Sequence, residues 1–159
     1  MDRLRPTVDP HDHLAIQNVI ARYCEALDTK EFSLLDRVFH EDIKADYPFN
    51  KDLKGVRKIA EAIVKRLGPI LTHHSLTTQR ITFSPDSRTA YATTYFIGCH
   101  FGQGPHEGKV LQAYGQYMDE LVCVEKSMAE IEAEGVAGAS GVWRIVKRTV
   151  GFTKRVGDE

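Results

Sequence analysis

Apolar residues recur along the first third of the chain with the period of a helix, and along most of the remainder with the period of a strand. In DPHDHLAIQNVIARYCEALD, residues 9–28, Ile16, Val19, Ile20, Tyr23 and Leu27 fall at steps of three and four, so one face of an amphipathic helix entered near Pro10 and Asp12 is apolar. A second, short helix is predicted over EFSLLDRVF through Phe32, Leu35 and Phe39; a break at HED and a strand over IKADYPF, stopping at Pro48, come after it. GVRKIAEAIVKRLG is helical again through Val56, Ile59, Ala60, Ile63 and Leu67. Gly68-Pro69 ends it, since glycine tolerates a cap conformation and proline cannot continue a helix.

The second half changes period. ILTHHSLTTQRITF, RTAYATTYFIGCHF, KVLQAYGQYMDELVCV and GVWRIVKRTVGFTKR are rich in β-branched and aromatic residues, and Ser84-Pro85-Asp86-Ser87 between the first two is a tight-turn signal. These are the strands of an antiparallel meander. EKSMAEIEAEGVAGASG, about residues 125–140, interrupts it: the stretch is acidic, rich in alanine and glycine and too long for a hairpin turn, so a mobile or only locally helical insert with little to bury is expected. Helices first and strands afterwards make an α+β domain with the helices on one face of a curved sheet, and no repeat or low-complexity tract marks a second domain within residues 1–159.

Composition narrows the partners. The 159 residues carry 21 basic and 22 acidic side chains, a formal net charge of −1, so nothing in the balance favours nucleic acid or an anionic membrane, and a small neutral molecule is the expected partner. Cys24, Cys99 and Cys123 are odd in number and far apart, which suits reduced thiols in the cytoplasm better than a disulfide frame or a zinc site. The opening MDRLRPTVDPHDH has no apolar run of a signal peptide, and no segment reaches the ~20 apolar residues of a membrane span.

Five stretches, YCEALDTKEFSLLDRVFHEDIKADYPF, THHSLTTQRITF, YATTYFIGCHF, AYGQYMDEL and GVWRIVKRTV, together resemble, in order and spacing, the SnoaL-like family of the NTF2-like superfamily, and most closely its scytalone dehydratase-like branch. The resemblance covers about residues 12–152. It implies a cone-shaped barrel in which a strongly bent, mostly antiparallel sheet wraps three N-terminal helices around a deep apolar pocket. It also implies a catalytic set: Asp28 matches the family aspartate that pairs with a histidine, His74 matches that histidine, His100 a second pocket histidine, and Tyr47 a tyrosine that holds a water against the substrate carbonyl. Tyr23, Leu27, Tyr95, Gln112 and Tyr114 are the expected substrate-binding residues. Three positions depart from the family pattern. A tyrosine is replaced by Leu27, an asparagine by Ala113 and a serine by Leu111, with Gln112 or Tyr114 as substitutes if the strand is shifted by one residue. The loss of the second carbonyl-polarising tyrosine argues against the dehydration of scytalone itself.

The chemistry stands without the family. An imidazole hydrogen-bonded through one nitrogen to a carboxylate is fixed in tautomer and made more basic, which suits it to take a proton beside a carbonyl and return it to a leaving hydroxyl. Tyr47 and His100 are suited to hold the developing oxyanion, and no metal or other cofactor is required. Each residue also has a plainer explanation. A strand histidine is often only a structural hydrogen-bonder. Asp28 in LDTKEF is well placed to cap the next helix, and the aromatic residues serve a core as well as a pocket. His73 should face away from His74 because strand side chains alternate. Arg37 and Glu120 are further pocket candidates with surface alternatives, and Asp119 and Glu120, the carboxylates an epoxide-opening hydrolase would want, read as peripheral at a strand end.

The expected protein is thus a cofactor-independent lyase or isomerase, a dehydratase or cyclase working by an Asp-His dyad on a small apolar polyketide or terpenoid-like secondary metabolite, cytoplasmic and able to form a homodimer or homotrimer. The competing expectation is a non-catalytic NTF2-like module that holds a ligand or dimerises.

Overall fold

The computed structural model describes residues 8–158, so most of the opening stretch read above for a signal sequence lies outside the described residues. Helix α1 (Pro10–Thr29) begins where Asp9 accepts a hydrogen bond from the backbone N–H of His11 and Pro10 supplies a preset helical φ. Its apolar stripe is buried as the periodicity requires, with Ile16, Val19, Ile20, Tyr23 and Leu27 each at most 2% exposed. At about 1.5–3 kcal/mol for each large side chain removed from water, this stripe fixes the helix against the sheet. The second helix is a six-residue 3-10 turn, Phe32–Arg37, and α2 (Val56–Leu67) buries Ile59, Ile63 and Leu67.

Six strands, β1 (Phe39–Tyr47), β2 (Asn50–Lys54), β3 (Leu71–Phe83), β4 (Thr89–Phe101), β5 (Val110–Val124) and β6 (Val142–Gly157), form one sheet in the order β2-β1-β6-β5-β4-β3. All neighbours are antiparallel except β1 and β6. The sheet is curled and unclosed, and the helices pack on its concave side as expected. Bulges supply the curl: β3 slips one residue against β4 between Leu76 and Gln79, and β6 slips against β5 twice, at Val146 and at Thr153. Each slip also exchanges the faces beyond it. Trp143 and Ile145 point inward; after the first slip Arg148, rather than Lys147, continues their row, and after the second Arg155 lies opposite inward-facing Ala113.

The 125–140 insert is only locally helical, as expected, but it buries more than its composition suggested. It carries helix α3 (Met128–Ala133), begun by a Ser127 cap onto the Glu130 N–H, and it buries Ile131 and Val136. Glu134 binds Arg22 at 2.7 Å and Arg144 at 2.8 and 3.0 Å. The buried carboxylate of Asp12, within the first turn of α1, accepts from the Ser140 N–H, the Ser140 hydroxyl and the Trp143 indole N–H. A stretch of acidic composition is therefore tied to the body by two of its own polar residues, because their partners lie far away in sequence. Among the described residues, no helix is long and apolar enough to cross a membrane.

Candidate active site

The pocket lies between α1, α2 and the concave sheet face. Its inner chamber, about 50 Å³, is walled by Tyr23, Leu27, Tyr47, Phe96, Tyr117 and Phe152, with His74, Gly98 and His100 along one side. Arg66, His100 and Arg155 also line a wider outer chamber of about 580 Å³.

Asp28 sits in the last turn of α1 and does not cap the 3-10 turn beyond it: the cap position there is Glu31, with no side-chain hydrogen bond. The carboxylate reaches β3 instead. Oδ1 lies 2.7 Å from Nδ1 of His74, Oδ2 accepts the His74 backbone N–H at 2.7 Å, and the Thr72 hydroxyl donates to Oδ1 at 2.9 Å. Lys30 donates to the same hydroxyl at 3.1 Å and to the Leu67 carbonyl at 3.0 Å. Burial opposes ionisation of Asp28, but the hydrogen bonds from His74, its charge and the Thr72 hydroxyl outweigh it, and the carboxyl titrates below its usual range. An ionised carboxylate only accepts, so the Nδ1 that faces it carries the proton, and in the neutral ring Nε2 is left with a lone pair.

Alternation along β3 accounts for the adjacent histidines. The His74 side chain is 6% exposed, whereas His73 faces outward and is exposed. Opposite His74 on β4 stands Gly98, and two pairs further along, on the same face, Thr72 stands opposite His100. His100 has its pKa lowered to about 4, first by burial and then by the nearby charges of His74, Arg66, Arg155 and Lys30, so at neutral pH it is an uncharged hydrogen-bonder.

Tyr47 and Tyr23 share a hydrogen bond of 2.8 Å on the far wall, and burial raises both phenol pKa values, so both are protonated at neutral pH. Behind them lies a group that strand alternation alone could not locate. The Arg148 guanidinium, wholly buried, is sandwiched at 4.2 Å from the ring centres of both Tyr23 and Tyr117 and binds Asp119 through two hydrogen bonds of 2.7 and 2.8 Å. Its Nη1 has no hydrogen-bond partner among the described residues. Burial opposes the charge of Arg148, but Asp119 overrides it, and the group stays protonated. Asp119 is thus not peripheral, as its place in the sequence suggested, but committed to a buried ion pair.

Of the nine expected site residues, Tyr23, Leu27, Tyr47, His74 and His100 line the inner chamber, and Asp28 stands directly behind His74. Tyr95, Gln112 and Tyr114 do not line it. Tyr95 is 46% exposed, and Tyr114 donates to Gln112 at 3.1 Å on the outer face, since the inward row of β5 is Leu111, Ala113, Gly115 and Tyr117. Ala113 therefore does face the pocket, and no polar side chain from that strand replaces the family asparagine there. Arg37 binds the Ala133 carbonyl and Glu134, outside both chambers. His40, Glu41 and Asp42 bring possible ligand atoms within 4.8 Å of one another, but none of them lines either chamber.

A match to the SnoaL-like domain family spans residues 9–149. The chain belongs to the SnoaL-like family. The curled, unclosed sheet and its helices are the NTF2-like cone expected of that family. No curated protein matches the chain significantly. Among solved structures it is similar to a candidate aromatic ring hydroxylase from Novosphingobium aromaticivorans, with 25% identity, a TM-score of 0.75 and 96% of each chain covered. A candidate scytalone dehydratase from the same species has 21% identity and a TM-score of 0.72, over 92% of this chain and 87% of that one. The hexachlorocyclohexane dehydrochlorinase LinA-type3 from Novosphingobium barchaimii has 14% identity and a TM-score of 0.72, over 94% of each chain. These likenesses define the SnoaL-like cone; the chemistry of this chain rests on its own pocket.

Proposed function

We propose that this SnoaL-like protein is a cofactor-independent lyase or isomerase in which His74 removes a proton beside a carbonyl and returns it to a leaving hydroxyl or to another carbon. The observation that carries the reading is the double hold of Asp28 on His74, 2.7 Å to the ring and 2.7 Å to the backbone of one residue. A histidine needed only for structure has no use for a bare Nε2 turned to a cavity. Asp28 fixes the tautomer and stabilises the imidazolium after proton transfer, an effect worth roughly 10² to 10⁴ in rate for a well-placed base. Tyr47, joined to Tyr23, is the donor to the oxygen that becomes negative, and the charge of Arg148 behind the tyrosines favours that oxyanion without touching it. His100, uncharged, positions the same oxygen or the departing one. The departures at Leu27, Ala113 and Leu111 remove polar contacts scytalone would need, so a different hydroxy-ketone or enolisable carbonyl compound is the substrate.

The fold alone would serve a ligand-holding module equally well. Proton chemistry separates the two. Incubating a panel of aromatic and alicyclic ketones and β-hydroxy ketones with the protein in D₂O, then measuring product masses by mass spectrometry, should reveal deuterium uptake or loss of water for some members, abolished in His74→Ala. Uniform silence across the panel, with binding intact, would favour the non-catalytic module.

A further inference from the structure

Thr72 and His74 stand two apart on β3, so strand alternation turns both side chains to the end of α1, where both bond Asp28. Lys30 stands two residues after Asp28. There α1 ends with φ 64° and ψ 20°, a left-handed conformation that residues with a Cβ seldom enter. From that turn the Lys30 side chain meets two other elements: Nζ donates to the Leu67 carbonyl of α2 at 3.0 Å and to Oγ1 of Thr72 at 3.1 Å. Partial burial lowers the Lys30 pKa and the Asp28 carboxylate opposes the change, so the group remains an ammonium at neutral pH.

An ammonium only donates, so the Thr72 oxygen accepts from it and the single hydroxyl proton goes elsewhere. Two acceptors are in reach, Oδ1 of Asp28 at 2.9 Å and the Leu27 carbonyl at 3.5 Å. The nearer, charged one takes it. The result is a directed chain, Lys30 Nζ–H to Thr72 Oγ1–H to Asp28 Oδ1, in which each donor polarises the next. It ends on the same carboxylate oxygen that faces Nδ1 of His74. Thr72 is 5% exposed, and neither it nor Lys30 lines the inner or the outer chamber, so neither is placed to touch a substrate.

We propose that Lys30 and Thr72 are positioning residues of the proton-transfer centre: Thr72 fixes the rotation of the Asp28 carboxylate, and Lys30 acts through Thr72 by fixing the direction of its hydroxyl. The role rests on the reading of His74 as the base; the hydrogen-bond chain itself does not. Without the Thr72 hydroxyl the carboxylate keeps only His74, ring and backbone, and is free to swing Oδ1 away from the imidazole plane. Lys30 also ties Leu67, which lines the inner chamber, to the same chain, so the α2 wall and the base are held together.

The test measures the ring opening of 5-nitrobenzisoxazole and, in substrate-free protein, the ring-nitrogen NMR signals of His74. Thr72→Val keeps the shape and removes the hydroxyl, so kcat should fall at least about tenfold with KM unchanged, and Thr72→Ser should keep the native kcat. Lys30→Met keeps the stem and Lys30→Gly suits the left-handed turn; both should be slowed by a similar factor. Lys30→Met combined with Thr72→Val should be no slower than Thr72→Val alone, because the amine acts through the hydroxyl. The native ring nitrogens should report the Nδ1–H tautomer, and in Thr72→Val and Lys30→Met they should move towards the average of the two tautomers. Thermal melts establish that each variant is folded. Thr72→Ser as slow as Thr72→Val, native rates and ring signals in both Lys30 variants, or losses that add in the double variant would overturn the proposal. If the native protein opens no benzisoxazole, the base reading fails by itself, and the ring signals still decide whether Lys30 and Thr72 hold the dyad.

Discussion

Gly98 stands across the β3–β4 pair from His74, and a Cβ placed on it would lie 3.3 Å from Nε2 and 3.3 Å from Cδ2 of the ring. The contact is tight without being impossible, so an alanine would displace the imidazole by a few tenths of an ångström while Asp28 still holds its other edge. A misplaced base loses rate steeply with distance. Gly98→Ala should therefore lower kcat by about tenfold with little change in Tm. Unchanged turnover would mean that the substrate does not approach Nε2 past Gly98.

The Arg148–Asp119 pair predicts a non-additive stability cycle. Removing the cation alone, in Arg148→Met, strands a buried carboxylate and should cost about 3–5 kcal/mol, whereas Arg148→Met with Asp119→Leu should recover much of that loss. Urea unfolding of the four proteins checks it. Strict additivity would show that the two side chains do not depend on each other.

Glu134 predicts an acid-sensitive anchor. Burial opposes its ionisation, but Arg144 and Arg22 together lower its pKa to about 2. The folded state thus holds the proton less tightly than the unfolded one, so the anchor stabilises fully above about pH 4.5 and loses its effect as pH falls towards 2. At neutral pH Glu134→Gln should cost about 2 kcal/mol, and the gap from the native protein should close between pH 4.5 and 2. A gap constant across that range would remove the ion pairs from the account. Replacing residues 125–140 by a short glycine-containing turn should likewise destabilise the fold, since it removes Glu134 together with Ile131 and Val136.

Where one period runs unbroken, the sequence was enough. The helical stripe from Ile16 to Leu27 and the alternation that parts His73 from His74 both come from spacing alone. The pairing of Asp28 with His74 needed the family resemblance, because the two are 46 residues apart and no local pattern joins a helix end to a strand. Bulges are where reading failed. Nothing in WRIVKRTVGFTKR announces the slips at Val146 and Thr153, and an unbroken alternation from Trp143 would turn Lys147 inward and Arg148 outward. The wrong choice of Gln112 and Tyr114 was an error of one residue in register on β5, and the insert misled because composition does not reveal a partner such as Arg22, 112 residues away.

Proton removal from carbon by His74 is most directly measured with 5-nitrobenzisoxazole, whose ring opens once a base takes the carbon-bound proton of its isoxazole ring, and whose product is coloured. The native protein should turn it over with saturation, at a rate at least about 100-fold above both His74→Ala and Asp28→Asn, while His73→Ala keeps the native rate. If folded His74→Ala reacts as fast as the native protein, His74 is not the base.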